Sequence, residues 1–260
     1  MFVTHDLVFG DGVLCKRFRS WDRGEPAREW QVLTRVQAHA ADLAPRPLGV
    51  RLDARPPSIT MSVVPGEPLR GPLTPAQLDA LEVALRRLWS VPADGLPQRR
   101  PASSTDLAYA RDLLTARPRP APGAAAQAYD AASSWLDGRA RRWFGRPHPD
   151  AVLGHGDPNL DNYLWDGDRI RIVDFEDAGR SDVALELGTL VEHLGARDTR
   201  WDEFLGRFDV DTDRLAACRA LWAIFWLQML LPGGPAAARN PPATLEAQAR
   251  RTLDLLARST

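Results

Sequence analysis

"HGDPNLDNYLWDGDRIRIVDFED" fills positions 155–177, and the reading of this stretch decides the fold expected for the chain. Gly156 and Pro158 both oppose regular structure, so His155, Asp157 and Asn162 fall on an irregular loop. Asp166-Gly167-Asp168 is a turn signal between two short apolar runs, which predicts a strand on either side. Asp174 follows at the end of the second strand, twelve residues after Asn162. Two oxygen-donating side chains on adjacent loop and strand ends suit Mg²⁺, which takes few protein ligands and several phosphate oxygens. Asp157, five residues before the asparagine, is left to accept a proton from an attacking hydroxyl.

A second clue lies near the start, in "DGVLCKRFRS" at 11–20. Lys16 is the only lysine, and the remaining 32 of the 33 basic residues are arginine, so charge alone does not explain its retention. Lysine is a compact point charge and arginine a planar fork, and a site that needs the former keeps it. The two candidate helix carboxylates for this lysine are Glu25 and Glu29; Glu29 has the better register with Leu33 and Val36.

The rest of the chain organises around these clues. "VTHDLVF" (3–9) and "GVLCKRF" (12–18) flank Gly10-Asp11-Gly12, a hairpin signal. A helix is expected from about Glu25 to Ala40, then strands at 47–53 and 58–64. The segment "PGEPLRGPLTP" (65–75) is a break rich in proline and glycine, and the domain boundary is placed there: 1–64 as one lobe, 65–260 as the other. Helices are expected from Thr74-Pro75 onward, near 104–116, 124–144, 183–196, 201–207, 211–231 and 243–258. Only 15 residues precede Lys16, room for one strand and a hairpin turn, so the first lobe is expected to be short.

Composition narrows the class. A formal charge of −1 gives no global pull toward nucleic acid or an anionic membrane. Two cysteines, Cys15 and Cys218, make no disulfide framework and point to reduced thiols in a cytoplasmic protein. The run "LAACRALWAIFWLQMLL" (215–231) carries Arg219 and Gln228, is short for a bilayer span, and reads as a buried helix. A His-x-Asp metal pair at His155 and Asp157 lacks further histidines at useful spacing, which leaves a hydrolase reading unsupported.

In order, Lys16, Glu29, Asp157, Asn162 and Asp174 supply the groups a kinase needs. "HGDPNLDN" followed by "IVDFEDAGRSDVALEL" resembles the aminoglycoside phosphotransferase/choline kinase family, whose loop reads His-Gly-Asp where protein kinases have His-Arg-Asp. The resemblance implies a two-lobed, protein-kinase-like α+β fold with a small β-rich lobe and a large helical lobe. It implies Asp157 at the substrate hydroxyl, Asn162 and Asp174 on Mg²⁺, and Lys16 on the α/β-phosphates with Glu29 as partner. It also implies that "MSVVPGEPL" (61–69) joins the lobes, with Met61 as gatekeeper and backbone groups of Ser62 and Val64 on the adenine. His155 is expected to brace the loop and Asp182 to cap the next helix. The expected activity is transfer of a phosphate from ATP or GTP to a hydroxyl of a small molecule; the alternative is a kinase-like protein that binds without transfer. Acidic residues at 202–213 and arginine runs elsewhere do not choose the acceptor.

Overall fold

The computed structural model describes residues 5–100, 107–144 and 150–259. They form two compact units: 5–100 with 150–182 and 198–200, and 107–144 with 183–197 and 201–259.

The first unit opens with strands β1 (His5–Gly10) and β2 (Val13–Phe18), joined by the two-residue turn Asp11-Gly12. Both turn residues have positive φ, at 42° and 76°, the backbone that matches the twist of a tight hairpin. Helix α1 (Glu25–His39) follows, with Pro26 in its first turn, and buries Glu29, Val32, Leu33 and Val36. Strands β3 (Pro47–Arg51) and β4 (Ser58–Ser62) complete an antiparallel sheet in the order β1-β2-β4-β3. Phe18, Ile59 and Met61 from the sheet are buried, as are Val32, Leu33 and Val36 of the helix, which contacts β3 and β4.

The proline- and glycine-rich break holds a strand as well as a turn. Strand β5 (Glu67–Pro68) continues the chain, and helix α2 (Pro75–Trp89) starts at a capping box between Thr74 and Gln77. Later in the chain the same unit adds β6 (Val152–Gly154), β7 (Tyr163–Trp165), β8 (Ile170–Ile172) and β9 (Gly179–Ser181). The sequence leads one to expect two strands there; the outer pair, β6 and β9, is too short to show a periodic pattern. β5 pairs with β7 and β7 with β8, so the break is tied to the loop-bearing hairpin. Gly66, at φ 124°, permits this: a Cβ there would stand 2.9 Å from the Leu164 carbonyl carbon. Asp166 closes the β7–β8 turn by accepting from the Asp168 and Arg169 amides at 3.0 and 2.9 Å.

The second unit is helical: α3 (Leu107–Thr115), α4 (Ala124–Asp137), α5 (Arg141–Phe144), α6 (Val183–Glu192), α7 (Asp202–Leu205), α8 (Thr212–Leu230) and α9 (Pro242–Arg258). Positions 104–106 of the third expected helix lie outside the described residues. The single helix expected over 124–144 is divided at Gly138, which ends α4. The one expected over 183–196 stops at Glu192, because His193 turns to extended backbone before a short 3₁₀ turn. Glu192 is fully buried and accepts from Arg219 Nε at 2.8 Å and Arg251 Nη2 at 2.9 Å, pinning α6 to α8 and α9. No helix among the described residues is long and apolar enough to cross a membrane. The apolar run at 215–231 is largely buried in α8, which shares a core with α3, α4 and α9.

α6 approaches α8 at Gly188, where a Cβ would meet the Cys218 Cβ at 2.8 Å and the Arg219 amide nitrogen at 3.1 Å. Neither neighbour is the free end of a flexible side chain. Gly188→Ala is therefore expected to lower stability by about 1–3 kcal/mol through overpacking. A denaturant midpoint equal to the parent's would contradict that close approach.

Candidate active site

Strand alternation turns Lys16 inward, with Arg17 exposed and Phe18 buried behind it. In register with Lys16 are Leu7 on β1 and Ile59 on β4, so the lysine sits in the middle of the sheet rather than at its edge. Its ammonium is 97% removed from solvent as a residue and donates to Glu29 Oε2 at 2.7 Å and Asp174 Oδ1 at 2.5 Å. Glu176 Oε2 lies 3.0 Å away. Glu25, the competing helix carboxylate, is occupied instead by the Arg23 amide and guanidinium.

Glu29 clasps two elements at once. One oxygen takes the Lys16 ammonium, and the other accepts the Phe175 amide at 3.3 Å. Helix α1 is thereby fixed both to the β2 lysine and to the backbone just after Asp174. Asp174 itself is held at φ 68°, left-handed backbone that a side-chain-bearing residue seldom adopts and that costs about 1–3 kcal/mol. The Lys16 bond and the Glu29–Phe175 bond over-determine that conformation from both sides.

The loop before β7 is equally constrained. His155 places one ring nitrogen 2.7 Å from the Asp157 carbonyl and the other 2.8 Å from the Val173 carbonyl, bridging the loop to the end of β8. Its ring also meets Phe175 edge-on, with centroids 5.0 Å apart. Asp157 accepts from the Asn159 amide at 3.1 Å and from Asn162 Nδ2 at 2.9 Å. With its nitrogen spent on Asp157, Asn162 has Oδ1 left for a cation. The Val173 amide donates to the Asn162 carbonyl at 3.0 Å, which sets Asn162 beside the residue preceding Asp174. Asp182, buried, directly precedes α6 in the chain.

The hinge positions follow β4. Met61 is buried in the sheet core. Ser62 donates its N–H to the Arg46 carbonyl at 2.9 Å, and its hydroxyl accepts the Arg46 amide. The Ser62 N–H is thus spent on Arg46, which leaves the carbonyl as the backbone group of Ser62 for the expected adenine contact. Val64 lies past the end of β4, half-buried.

Two residues of the cluster were not singled out from the sequence. Glu176 stands two positions after Asp174 in "VDFED", where the chain turns past the end of β8. His5 had no signal in the sequence; only the sheet brings its Nδ1 to 3.7 Å from Glu176 Oε2. His5, Asp174 and Glu176 each place one ligand atom within 4.8 Å of the others.

The electrostatics follow from burial. Desolvation opposes the charge on Lys16, but Glu29, Asp174 and Glu176 outweigh it and raise the ammonium above its ordinary range. Burial pushes Glu29 upward against the pull of Lys16. With donors on both oxygens, Glu29 nevertheless suits the carboxylate form. Burial also opposes ionisation of Glu176, yet nearby His5 and the Lys16 ammonium prevail and hold its carboxyl down to about 2, from 4.5. A depressed carboxyl stabilises the fold above its unfolded value, and that contribution disappears as pH falls from about 4.5 to about 2. Glu176→Gln should therefore be less stable than the parent at neutral pH, with the gap closing across that window. A gap that is constant with pH would contradict the assignment.

The family model described as "APH: Phosphotransferase enzyme family" matches residues 2–222. A comparison with curated proteins finds no match. Among solved structures, the chain resembles a choline/ethanolamine kinase family protein from Mesorhizobium loti at 20% identity and TM-score 0.69, covering 98% of this chain and 85% of that one. It resembles choline kinase LicA from Streptococcus pneumoniae at 14% identity and TM-score 0.67, covering 99% and 91%. The GDP complex of aminoglycoside 2'-phosphotransferase-IIIa matches at 15% identity and TM-score 0.63, covering 100% and 91%. These likenesses show a protein-kinase-like α+β fold, with a small antiparallel sheet and a mostly helical remainder. The family match spans more than half of the sequence, and the chain belongs to the phosphotransferase enzyme family.

Proposed function

We propose that the chain moves the terminal phosphate of ATP or GTP to a hydroxyl group of a small molecule, with Mg²⁺ held by Asn162 and Asp174. One observation carries this reading: a buried lysine ties the α1 glutamate to Asp174 while Asn162 holds Asp157. The donor set suits a hard divalent cation. Glu29, Asp174 and Glu176 surround one ammonium, so carboxylate charge remains for a cation to balance, and Asp174 and Asn162 offer it carboxylate and amide oxygens. When bound, Mg²⁺ supplies charge neutralisation at the phosphate oxygens.

The chain's own residues do the rest by positioning. Asp157 takes the proton of the acceptor hydroxyl as its oxygen bonds to the γ-phosphorus. The bond from that phosphorus to the β,γ-bridging oxygen breaks, and the nucleoside diphosphate leaves. Lys16 holds the α/β-phosphates, kept on station by Glu29. Met61 borders the adenine, which meets the Ser62 carbonyl and backbone groups of Val64. His155 braces the loop, and Asp182 supports it at the start of α6. Residues 1–64 act as the nucleotide lobe and 65–260 as the catalytic and acceptor lobe.

A second reading, a kinase-like protein that binds a ligand without transferring phosphate, is favoured by one feature. The β1–β2 connection is a two-residue turn, short for a loop that covers phosphates.

Release of ADP from ATP, or of GDP from GTP, separates the two readings. The assay panel holds choline, ethanolamine and aminoglycosides, the substrate types named for similar structures. Turnover with one of them supports transfer. Nucleotide binding with no release from any acceptor supports the binding protein. Asp157→Asn should lower kcat by about 10²–10⁴-fold and leave nucleotide affinity unchanged. Lys16→Arg should also fail in turnover, since a fork cannot replace the point charge; a fully active Lys16→Arg protein would contradict the role of the lysine.

A further inference from the structure

The loop that carries Asp157 is held from behind by a segment far from it in sequence. Pro97–Arg100 runs parallel to the stretch that ends in β9. The Arg180 amide donates to the Pro97 carbonyl at 2.8 Å, the Arg99 amide to the Arg180 carbonyl at 3.1 Å, and the Arg100 amide to the Asp177 carbonyl at 2.8 Å. β9 in turn pairs with β6, the strand that runs into His155, so the segment, β9 and β6 lie side by side. Gly179 makes the approach possible: a Cβ there would stand 2.3 Å from the Pro97 carbonyl oxygen. Arg28 on α1 ties the same place to the first helix by donating to the Gln98 and Ala178 carbonyls at 3.0 and 2.9 Å.

From this strap the Arg99 side chain turns inward. It is 1% exposed, among the largest fully buried side chains, and Nη2 donates to the Gly156 carbonyl at 2.7 Å. Gly156 is the residue between His155 and Asp157, and its φ of 90° leaves it without the usual backbone restraint. Its other side is closed, since a Cβ would stand 2.2 Å from the Asp177 carbonyl oxygen. The peptide unit that leads into Asp157 is thus caught between Asp177 and a buried guanidinium. Burial raises the Asp177 carboxyl, Arg23 and Arg99 oppose the rise, and Glu176 and Asp157 add to it. Protein kinases place an arginine within the His-Arg-Asp loop itself. Here that position is glycine, and a guanidinium arrives from 57 residues upstream.

We propose that Arg99 is a positioning residue for phosphotransfer, fixing the Gly156–Asp157 peptide so that the Asp157 carboxylate meets the acceptor hydroxyl. The inference rests on the phosphotransfer reading above. Its consequence is specific: loss of Arg99 misplaces the base while the nucleotide, held by Lys16, Glu29 and the hinge, binds as before. Misplacement of a reacting group by about 1 Å costs about 10²-fold.

The test compares the parent with Arg99→Ala and Arg99→Lys, reading ADP or GDP release, nucleotide KM, melting temperature and the response to added guanidinium ion at millimolar concentration. Arg99→Ala is expected to lose about 10²-fold in kcat with KM for the nucleotide unchanged, and to regain activity with guanidinium. Arg99→Lys keeps the charge and loses the fork, and should fall between the two. Asp157→Asn should gain nothing from guanidinium, which separates rescue of position from a general effect of the ion. Should Arg99→Ala fail to fold, Arg99→Lys decides. Parental kcat in Arg99→Lys, or loss of kcat and KM together without rescue in a folded Arg99→Ala, overturns the role. No release by the parent itself removes the phosphotransfer reading and the positioning role with it, a result distinct from normal turnover in the variants.

Discussion

A buried ammonium surrounded by three carboxylates is the constraint on which the rest of the first unit depends. Lys16 loses nearly all of its hydration, and burial of an unpaired charge is costly enough that the pocket must supply partners. Glu29 comes from α1, Asp174 and Glu176 from the chain beyond β8. Two segments more than a hundred residues apart are drawn to one point, and the sheet strand carrying the lysine becomes their common anchor. Such a pair adds little net stability, since desolvation offsets attraction, but removing one partner leaves a buried charge and costs about 3–5 kcal/mol. The arrangement therefore selects one alignment of α1, β2 and the Asp174 turn rather than merely strengthening it.

The same logic accounts for the strained backbone. Asp174 adopts left-handed φ although it carries a side chain, and Gly156 and Gly66 do so where any Cβ would strike a neighbouring backbone. At Gly156 and Gly66 the need is steric, a close passage of chains. At Asp174 the conformation aims a carboxylate, and the bonds from Lys16 and through Glu29 to Phe175 hold it there. Among the described residues Asp11, Asp42 and Asp174 carry a side chain at positive φ, and of these Asp174 is the candidate metal ligand, a place where such a conformation can serve chemistry.

Much of this was legible in the order of residues. The lone lysine on an alternating strand, the aspartate–asparagine spacing around a proline, and the Asp-Gly-Asp turn each carry a local physical meaning, and the structure brings Lys16, Glu29 and Asp174 into contact. Helix positions were legible for the same reason, since apolar stripes and the Thr74–Gln77 cap are local. Local reading fell short where structure depends on distant chain. β5, β6 and β9 are two or three residues long and exist only because of their partners. His5 joins the cluster through sheet register alone, and Arg99 reaches Gly156 through a segment that carries no motif. That the Ser62 amide donates to the Arg46 carbonyl likewise depends on a segment distant in sequence.

The central claim is that these charges form a nucleotide and metal site. Calorimetric titration of the protein with ATP and with GTP, each with and without Mg²⁺, beside an Asp174→Ala variant, tests it most directly. Binding that requires Mg²⁺ and disappears in the variant is the predicted result. Binding that is indifferent to both Mg²⁺ and Asp174, or none with either nucleotide, would contradict it.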